Sequence, residues 1–173
     1  MRFKKGLLLL AAFILCTCPS AGICQSGSEF EDPAGKFKIV LLGDWRSVSY
    51  SDAVGRPKTE FVYRDRREGL LRISKEAQPG GSLENMVRAE EQNLRSYRPG
   101  FDRASTEPFG GGALRGLRFS FFATEGTRQL ASIFYYLEDG NSVWVLRFVG
   151  KRGSLDANRN IIDQMARSFQ PKK

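Results

Sequence analysis

Two stretches near the end of the chain, residues 130–137 and 143–149, are apolar at nearly every position. A strand that faces water on one side alternates apolar and polar residues, whereas a strand buried on both faces does not. Asp139-Gly140 lies between the two stretches, and Asp-Gly is a strong signal for a tight hairpin turn. The pattern therefore predicts a central β-hairpin that is covered on both faces.

Shorter stretches with a period of two predict further strands around this hairpin. They lie near residues 37–41, 45–50, 61–63, 71–73, 101–107 and 117–121. Residues 65–69 form a polar turn that ends in glycine, and residues 110–112 form a glycine loop. Residues 26–35 are polar, and we interpret them as an arm.

Two segments carry the helical period instead. Ser82 is typical of an N-cap, and Ser154 is typical of a second one. Apolar residues follow at helical spacing, namely Leu83, Met86, Val87, Leu94 and Tyr97 in the first segment and Leu155, Ile162, Met165 and Phe169 in the second. Strands, helix, strands and helix in this order predict an α+β fold, with a central antiparallel β-sheet flanked by helices.

The first 25 residues are typical of a secretory signal peptide. A basic start with Arg2, Lys4 and Lys5 precedes an apolar run at residues 6–15 and then small residues. The alternative is a buried helix of the domain. We therefore expect a leader at 1–25, a single domain at 26–173, and a secreted or periplasmic protein without a transmembrane helix after cleavage.

The cysteine and histidine content restricts the catalytic groups and metal ligands that the mature chain could have. The chain has no His, and its three Cys, at positions 16, 18 and 24, all lie in the predicted leader. Residues 15–18 loosely resemble a bacterial lipobox, so a lipid anchor at Cys18 remains an alternative to plain cleavage. The mature chain would have no imidazole base, no thiolate nucleophile and no metal site built from these ligands.

The net charge of the chain indicates which class of partner it could bind. Lys and Arg number 27 against 19 Asp and Glu, and removal of the three leader cations lowers the net charge from +8 to +5. This charge is mild and dispersed along the chain, unlike the dense patch of a nucleic-acid-binding protein. We expect no nucleic-acid partner and no cofactor.

Several residues resemble a known group of proteins. Phe37-x-Ile39-x-Leu41 followed by Gly43-Asp44-Trp45 resembles the opening F-x-I-x-x-P-x-x-W of PsbP-like domains. Tyr135-Tyr136 before a glycine turn and the ending Ile161-Ile162 to Ser168-Phe169 are similar too. The resemblance covers about residues 30–169 and is to the PsbP/DcrB-like group, which shares its fold with Mog proteins. It implies a PsbP/Mog-like α-β-α sandwich.

Two short motifs are candidates for binding. Arg64, Arg66 and Arg67 cluster at a predicted hairpin, where guanidinium groups could bind a carboxylate or phosphate bidentately or could form a solvated turn. The helix start at Gly80, Gly81 and Ser82 could hold an anion on free N–H groups, although capping alone explains Ser82. Tyr97 is a third candidate contact.

Other motifs are weaker. Glu29, Glu31 and Asp32 could bind a divalent cation, but their spacing fits no calcium loop and favours a solvated tail. The glycines at 110–112 precede a strand rather than a helix, which favours a connection over a phosphate loop. Carboxylates for hydrolysis are available at 90, 91, 107, 125 and 138, but no catalytic motif marks them and we assign no catalytic or metal-ligating residue.

These observations favour a non-enzymatic, exported binding module that contacts a protein or a membrane-associated assembly. The alternatives are a carboxylate-based hydrolase and a carrier of small anions or metals.

Overall fold

The computed structural model describes residues 27–78 and 81–172. These residues form ten strands and three helices. In chain order they are β1 (Gly27–Glu31), β2 (Phe37–Leu42), β3 (Trp45–Ser51), β4 (Pro57–Tyr63), β5 (Gly69–Ala77), α1 (Leu83–Tyr97), β6 (Asp102–Phe109), β7 (Gly116–Glu125), β8 (Arg128–Asp139), β9 (Ser142–Lys151), α2 (Arg152–Ala157), α3 (Arg159–Ser168) and β10 (Gln170–Pro171).

A seven-stranded antiparallel sheet forms the middle of the molecule. Its strand order is β3-β4-β5-β9-β8-β7-β6, and a smaller sheet has the order β1-β2-β10. The predicted hairpin is confirmed, because β8 and β9 pair without interruption from Leu130↔Lys151 to Asp139↔Ser142. It lies at the centre of the large sheet, as continuous apolar strands require.

Both faces of this hairpin are buried, each in a different core. Tyr135 and Leu137 of β8 point into a core with the small sheet, α2 and α3. Phe134 and Tyr136 point to the opposite face, which α1 covers. The α+β prediction of an antiparallel sheet between helices is therefore confirmed, with the small sheet added to one of the outer layers.

Two local predictions are wrong. Residues 27–31 are a strand rather than part of a free arm, because Phe30 packs edge-on against Phe61 at 4.9 Å between ring centroids. The last helix begins at Arg152, two residues before the predicted cap, and it is interrupted at Asn158. The Ser154 hydroxyl donates a hydrogen bond to the Glu68 carboxylate, so it caps no helix.

The predicted leader, with Cys16, Cys18 and Cys24, lies outside the described residues. Among the helices at residues 27–78 and 81–172, none has the length and apolar character needed to cross a bilayer.

Candidate functional site

Helix α1 covers only part of its sheet face, and a groove of about 450 Å³ opens between its C-terminal half and strands β5, β8 and β9. Three of the candidate residues, Arg66, Arg67 and Tyr97, line this groove although they come from different elements. We call it the arginine groove after its six guanidinium groups, which belong to Arg66, Arg67, Arg72, Arg98, Arg128 and Arg147.

A buried carboxylate holds two of these arginines. Glu60 of β4 is only 4% exposed. Its Oε1 accepts hydrogen bonds from Nε and Nη2 of Arg72, at 3.0 and 2.9 Å. Its Oε2 lies 2.8 Å from Nη2 of Arg66. Because one carboxylate contacts both side chains, Arg66 and Arg72 are oriented before any ligand arrives.

Two further arginines are held by neighbouring polar groups. Nη1 of Arg147 donates to the Ser74 hydroxyl at 2.9 Å and to Glu76 at 2.8 Å. The same guanidinium lies 5.6 Å from the centre of the Phe134 ring, within the range of a cation–π contact. Nη2 of Arg128 donates to the backbone carbonyl of Arg67 at 3.1 Å, so Arg128 braces the hairpin that carries Arg67.

The remaining two, Arg67 and Arg98, differ from the other four. Among residues 27–78 and 81–172, neither side chain has a carboxylate within ion-pair distance. Arg67 projects from the β4–β5 hairpin and Arg98 follows the end of α1, so they line the groove from separate elements. Tyr97, 62% exposed, adds an aromatic surface beside Arg98. The groove thus offers two cations that form no ion pair with a described carboxylate, and an aromatic ring.

The hairpin beneath Arg67 is held by Asp65. One oxygen of this carboxylate accepts hydrogen bonds from the backbone N–H groups of Arg67 and Glu68, at 2.6 and 3.0 Å. These backbone bonds lower the pKa of Asp65 below its ordinary value, because they favour the charged form. The turn that presents Arg67 therefore depends on an ionised Asp65.

The floor of the groove is apolar, with one polar group below it. Leu70, Leu94, Leu130 and Val149 line it together with the Phe134 ring. The Tyr136 hydroxyl is buried and has no hydrogen-bond partner in the described part of the chain. Burial raises the pKa of Tyr136, and the nearby charge of Glu90 raises it further. Glu90 itself is half-buried and lines the groove.

The other candidates lie elsewhere. Arg64 forms an ion pair with Asp44 at 2.8 Å, which raises the pKa of Arg64 and keeps its side chain out of the groove. The hydroxyl of Ser82 accepts from the Asn85 N–H at 3.3 Å, so it serves as the predicted N-cap. Gly81 and Ser82 line a separate cavity of about 340 Å³, and Gly80 lies outside the described residues.

The weaker motifs have structural roles in the described residues. Glu29 and Glu31 form ion pairs with Lys38, at 2.7 and 3.4 Å. Gly112 lies so close to α3 that a Cβ there would come within 2.4 Å of the Arg167 carbonyl oxygen. This close approach explains why the position is a glycine. No cluster of three potential metal ligands is found within residues 27–78 and 81–172.

The proposed carboxylates for hydrolysis are mostly engaged in pairs. Glu91 pairs with Arg95 at 2.6 Å and Glu107 pairs with Arg118 at 2.5 Å. Glu90 and Glu125 both line the arginine groove, where Glu125 lies 3.4 Å from Arg128.

A second polar cluster, on the opposite face, ties α3 to the sheet. Both oxygens of Asp163 accept hydrogen bonds from Arg118, and Oδ1 also accepts the Tyr135 hydroxyl at 2.5 Å. Burial raises the pKa of Tyr135, and its bond to Asp163 raises it further. Every polar group in this cluster has a protein partner, so we assign it a structural role.

Sequence reasoning missed four arginines of the groove, and it also missed the carboxylate of Glu60 that holds one of them together with Arg66. The four arginines stand singly along the chain, without a local motif, namely Arg72, Arg98, Arg128 and Arg147. They meet because Arg72 of β5 pairs with Arg147 of β9 across the sheet. The alternation of Arg72 with Leu71 and Ile73 was the one usable signal, since it places Arg72 on the face opposite the apolar core.

No family profile and no curated protein sequence matches the chain. Several solved structures do match the chain. The cyanobacterial PsbP of Synechocystis superposes with a TM-score of 0.56 at 11% identity, over 91% of this chain and 99% of that protein. The Ran-binding protein Mog1p of Saccharomyces cerevisiae gives 0.54 at 10% identity, over 84% of this chain and 95% of that protein. The chain has the PsbP/Mog fold.

LpqN of Mycobacterium tuberculosis, a protein involved in cell envelope biogenesis, has this fold too. It superposes with a TM-score of 0.56 at 10% identity, over 86% of this chain and 91% of LpqN. Likeness at this level of identity establishes the PsbP/Mog fold alone. The role of the arginine groove has to be argued from its own residues.

Proposed function

We propose that the protein is an exported, non-enzymatic binding module, and that its arginine groove docks an anionic group of a protein or membrane-associated partner. The observation that carries this proposal is the pair Arg67 and Arg98, whose guanidinium groups have no carboxylate partner in the described residues. The four other arginines are already oriented by Glu60, Glu76 and neighbouring groups. A preorganised set of donors loses little entropy on binding.

A ligand for this groove needs two kinds of contact. Guanidinium forks bind carboxylate or phosphate oxygens bidentately, and all six cations of the groove are arginines rather than lysines. Tyr97 and the floor around Leu70 and Val149 offer an apolar surface beside them. An anionic group on an apolar or aromatic carrier fits both parts, and an acidic stretch of a partner protein is such a ligand.

The absence of histidine from the chain, and of cysteine from the predicted mature chain, supports binding rather than catalysis. The sequence contains no His, and its Cys residues all precede residue 25. Glu125, one of the two groove carboxylates, is already engaged in an ion pair with Arg128 at 3.4 Å.

The proposal of export is based on the predicted leader. Two proteins with this fold support it: a cyanobacterial PsbP, and LpqN, which is involved in cell envelope biogenesis. Mass spectrometry of the mature N-terminus tests it directly. Cleavage near residue 25 gives a soluble exported chain, a diacylglyceryl group on Cys18 gives an anchored one, and an intact Met1 contradicts export.

The groove is tested with inorganic pyrophosphate, a compact polyanion, titrated at constant ionic strength while amide chemical shifts are recorded. We expect shifts in the hairpin and at the end of α1. The double change Arg67→Gln/Arg98→Gln should weaken binding at least about tenfold, because each charged hydrogen bond contributes roughly 1.5–3 kcal/mol.

A charge-matched control separates the groove from net charge. Arg88→Gln/Arg115→Gln removes two exposed arginines that do not line the groove. It should leave pyrophosphate affinity within about twofold, as surface charges act weakly at a distance. Equal loss in both double variants would show that only the overall charge matters.

A further inference from the structure

The two edges of the seven-stranded sheet are built differently. At the β6 edge the pairing with β7 shifts register between Asp102 and Ser105, and Arg103 there has a left-handed backbone with φ of 51°. Pro108 lies in the same strand and has no N–H to donate. Bulges, charges and prolines are the devices by which proteins block pairing at an exposed edge.

The β3 edge has neither a bulge nor a proline, and Arg46 is its one charged residue. It pairs with β4 over seven consecutive residues, from Trp45↔Tyr63 to Ser51↔Pro57, without a register shift. The strand contains no Pro or Gly. Among residues 27–78 and 81–172, no strand pairs with its outer side. The outward N–H and C=O groups of a regular strand are thus available to a further strand.

The side chains along this edge are sorted by face. Ser47, Ser49 and Ser51 point to one face and leave room for a neighbouring strand. Arg46, Val48 and Tyr50 point to the other.

Arginines outnumber carboxylates beside that second face. Arg46, Arg66 and Arg67 line a cavity of about 550 Å³ together with one carboxylate, Asp65, and Arg66 and Arg67 also line the arginine groove. Arg66 is already paired with Glu60 at 2.8 Å, so Arg46 is the cation of this face of β3 that has no described carboxylate partner. The Arg66 guanidinium lies 5.3 Å from the centre of the Tyr50 ring. Nη2 of Arg46 donates only to a backbone carbonyl, that of Arg64, at 3.3 Å, and no described carboxylate pairs with it. A strand added here places alternate side chains against guanidinium groups.

We propose that the β3 edge accepts an extended segment of a partner protein, which adds to the sheet as an eighth strand and places acidic side chains at alternate positions against Arg46 and Arg66. Backbone hydrogen bonds provide the attachment and the guanidinium groups select the charge. This inference takes from the proposed function only that the partner is a protein. The arginine groove could fail as a site and the edge would still stand.

A second copy of this chain is a poorer occupant. Self-pairing would bring Arg46 and Arg66 of one copy beside those of the other, and like charges on adjacent strands are destabilising. Stable protein interfaces bury roughly 1,200–2,000 Å². The contact between two strands of seven residues is small by comparison.

Three synthetic peptides test the proposal on the whole chain. The first is acetyl-(Glu-Thr)₄-amide, the second replaces every Glu by Lys, and the third is the first peptide N-methylated at every residue. We expect the acidic peptide to shift the amide signals of Trp45–Ser51 and to protect them from hydrogen exchange. The basic peptide should bind at least about tenfold more weakly, and the N-methylated peptide should not protect the edge, because it cannot donate backbone hydrogen bonds.

Charge reversal at the edge sharpens the test. Arg46→Glu should weaken the acidic peptide and strengthen the basic one. Arg56→Glu, at an exposed residue paired with Asp52 in the β3–β4 turn, should do neither. The single change Arg98→Gln, which removes a groove arginine that does not line the cavity beside β3, should leave edge protection by the peptide in place.

Three results would overturn the inference. Equal binding of the N-methylated peptide would mean simple charge attraction, and no binding of the acidic peptide would mean that the edge is closed. Sedimentation that shows a dimer, with β3 amides protected in the absence of peptide, would assign the edge to a second copy.

Discussion

Two halves of the same sheet face are built from different residues. The half under α1 consists of strands β7, β8 and the first part of β9, and its side chains are large and apolar, among them Phe119, Phe121 and Phe134. The half formed by β3, β4 and β5 has no helix over it in the described residues and carries Arg46, Glu60 and Arg72 on the same face. Both halves belong to the same sheet, so sheet geometry does not explain the difference between their residues. The difference follows from α1, which covers the apolar side chains of one half only.

The open half is stabilised in its own way. Long arginine side chains lie over it and shield the buried Val62, since their aliphatic parts can cover apolar surface while the charged ends reach water. Such a surface is ordered without a helix and still presents charge. The covered half contains the apolar core of this sheet face, and the open half carries the proposed binding surface.

The largest effect should come from truncating the covered half. Phe119 is fully buried and contacts the rings of Phe121 and Phe134. Phe119→Ala should lower the free energy of unfolding by about 3–5 kcal/mol, because it leaves a cavity. Leu70→Ala, on the half-buried floor of the open half, should cost about 1 kcal/mol. Urea denaturation measures both, and equal losses would contradict the division between halves.

A smaller effect is expected at the carboxylate that holds the open half. Glu60→Gln keeps the shape of the side chain and removes the charge between Arg66 and Arg72. We expect a loss of about 1–2 kcal/mol in unfolding free energy, below that of a fully buried pair because both arginines are more than half exposed. Pyrophosphate affinity should rise, because the loss of a negative charge beside Arg66 and Arg72 outweighs the loss of the orientation that Glu60 gives them.

The control for Glu60 is Glu91→Gln, which breaks the helical pair with Arg95. It should cost less than about 0.5 kcal/mol and leave pyrophosphate affinity unchanged. If Glu60→Gln lowered both stability and affinity, Glu60 would be a purely structural residue whose loss disorders the groove.

The difference between the halves also explains what the sequence predicts. The covered half is apolar on both sides of its strands, and that pattern alone indicates a central hairpin between two layers. Arg66, Arg67 and Tyr97 were recognised singly, from local clustering and helical spacing. Their meeting in one groove depends on the pairing of β5 with β9, which joins residues more than seventy positions apart, as Arg72 and Arg147 show. Local patterns carry no information about such contacts.

Errors at the two ends of the chain have the same origin. The polar composition of residues 27–31 predicts an arm, but the Phe30 ring packs against Phe61 and Phe37 and the segment forms a strand. Ser154 fits a cap by type, but its hydroxyl is used by Glu68 of the β4–β5 loop. In each case a long-range contact overrides a correct local preference.

The smallest effect is the pH dependence of the hairpin that carries Arg67 in the open half. Asp65 has a pKa lowered by the N–H groups of Arg67 and Glu68, so its contribution to stability is complete above its ordinary pKa of 3.8. That contribution is lost as the pH falls through the lowered value, because protonation weakens both hydrogen bonds. The amide signals of Arg67 and Glu68 should therefore titrate with a midpoint below 3.8, while those of Phe119 stay constant.

Asp65→Asn is the matched test of this titration. It keeps an oxygen that can accept the two N–H groups but cannot change charge, so the amide signals of Arg67 and Glu68 should lose that titration step. A midpoint at or above 3.8 in the unaltered chain would mean that the hydrogen bonds do not favour the charged form. The hairpin would then be held by the pairing of its strands and by Arg128, and acid would affect both halves of the sheet alike.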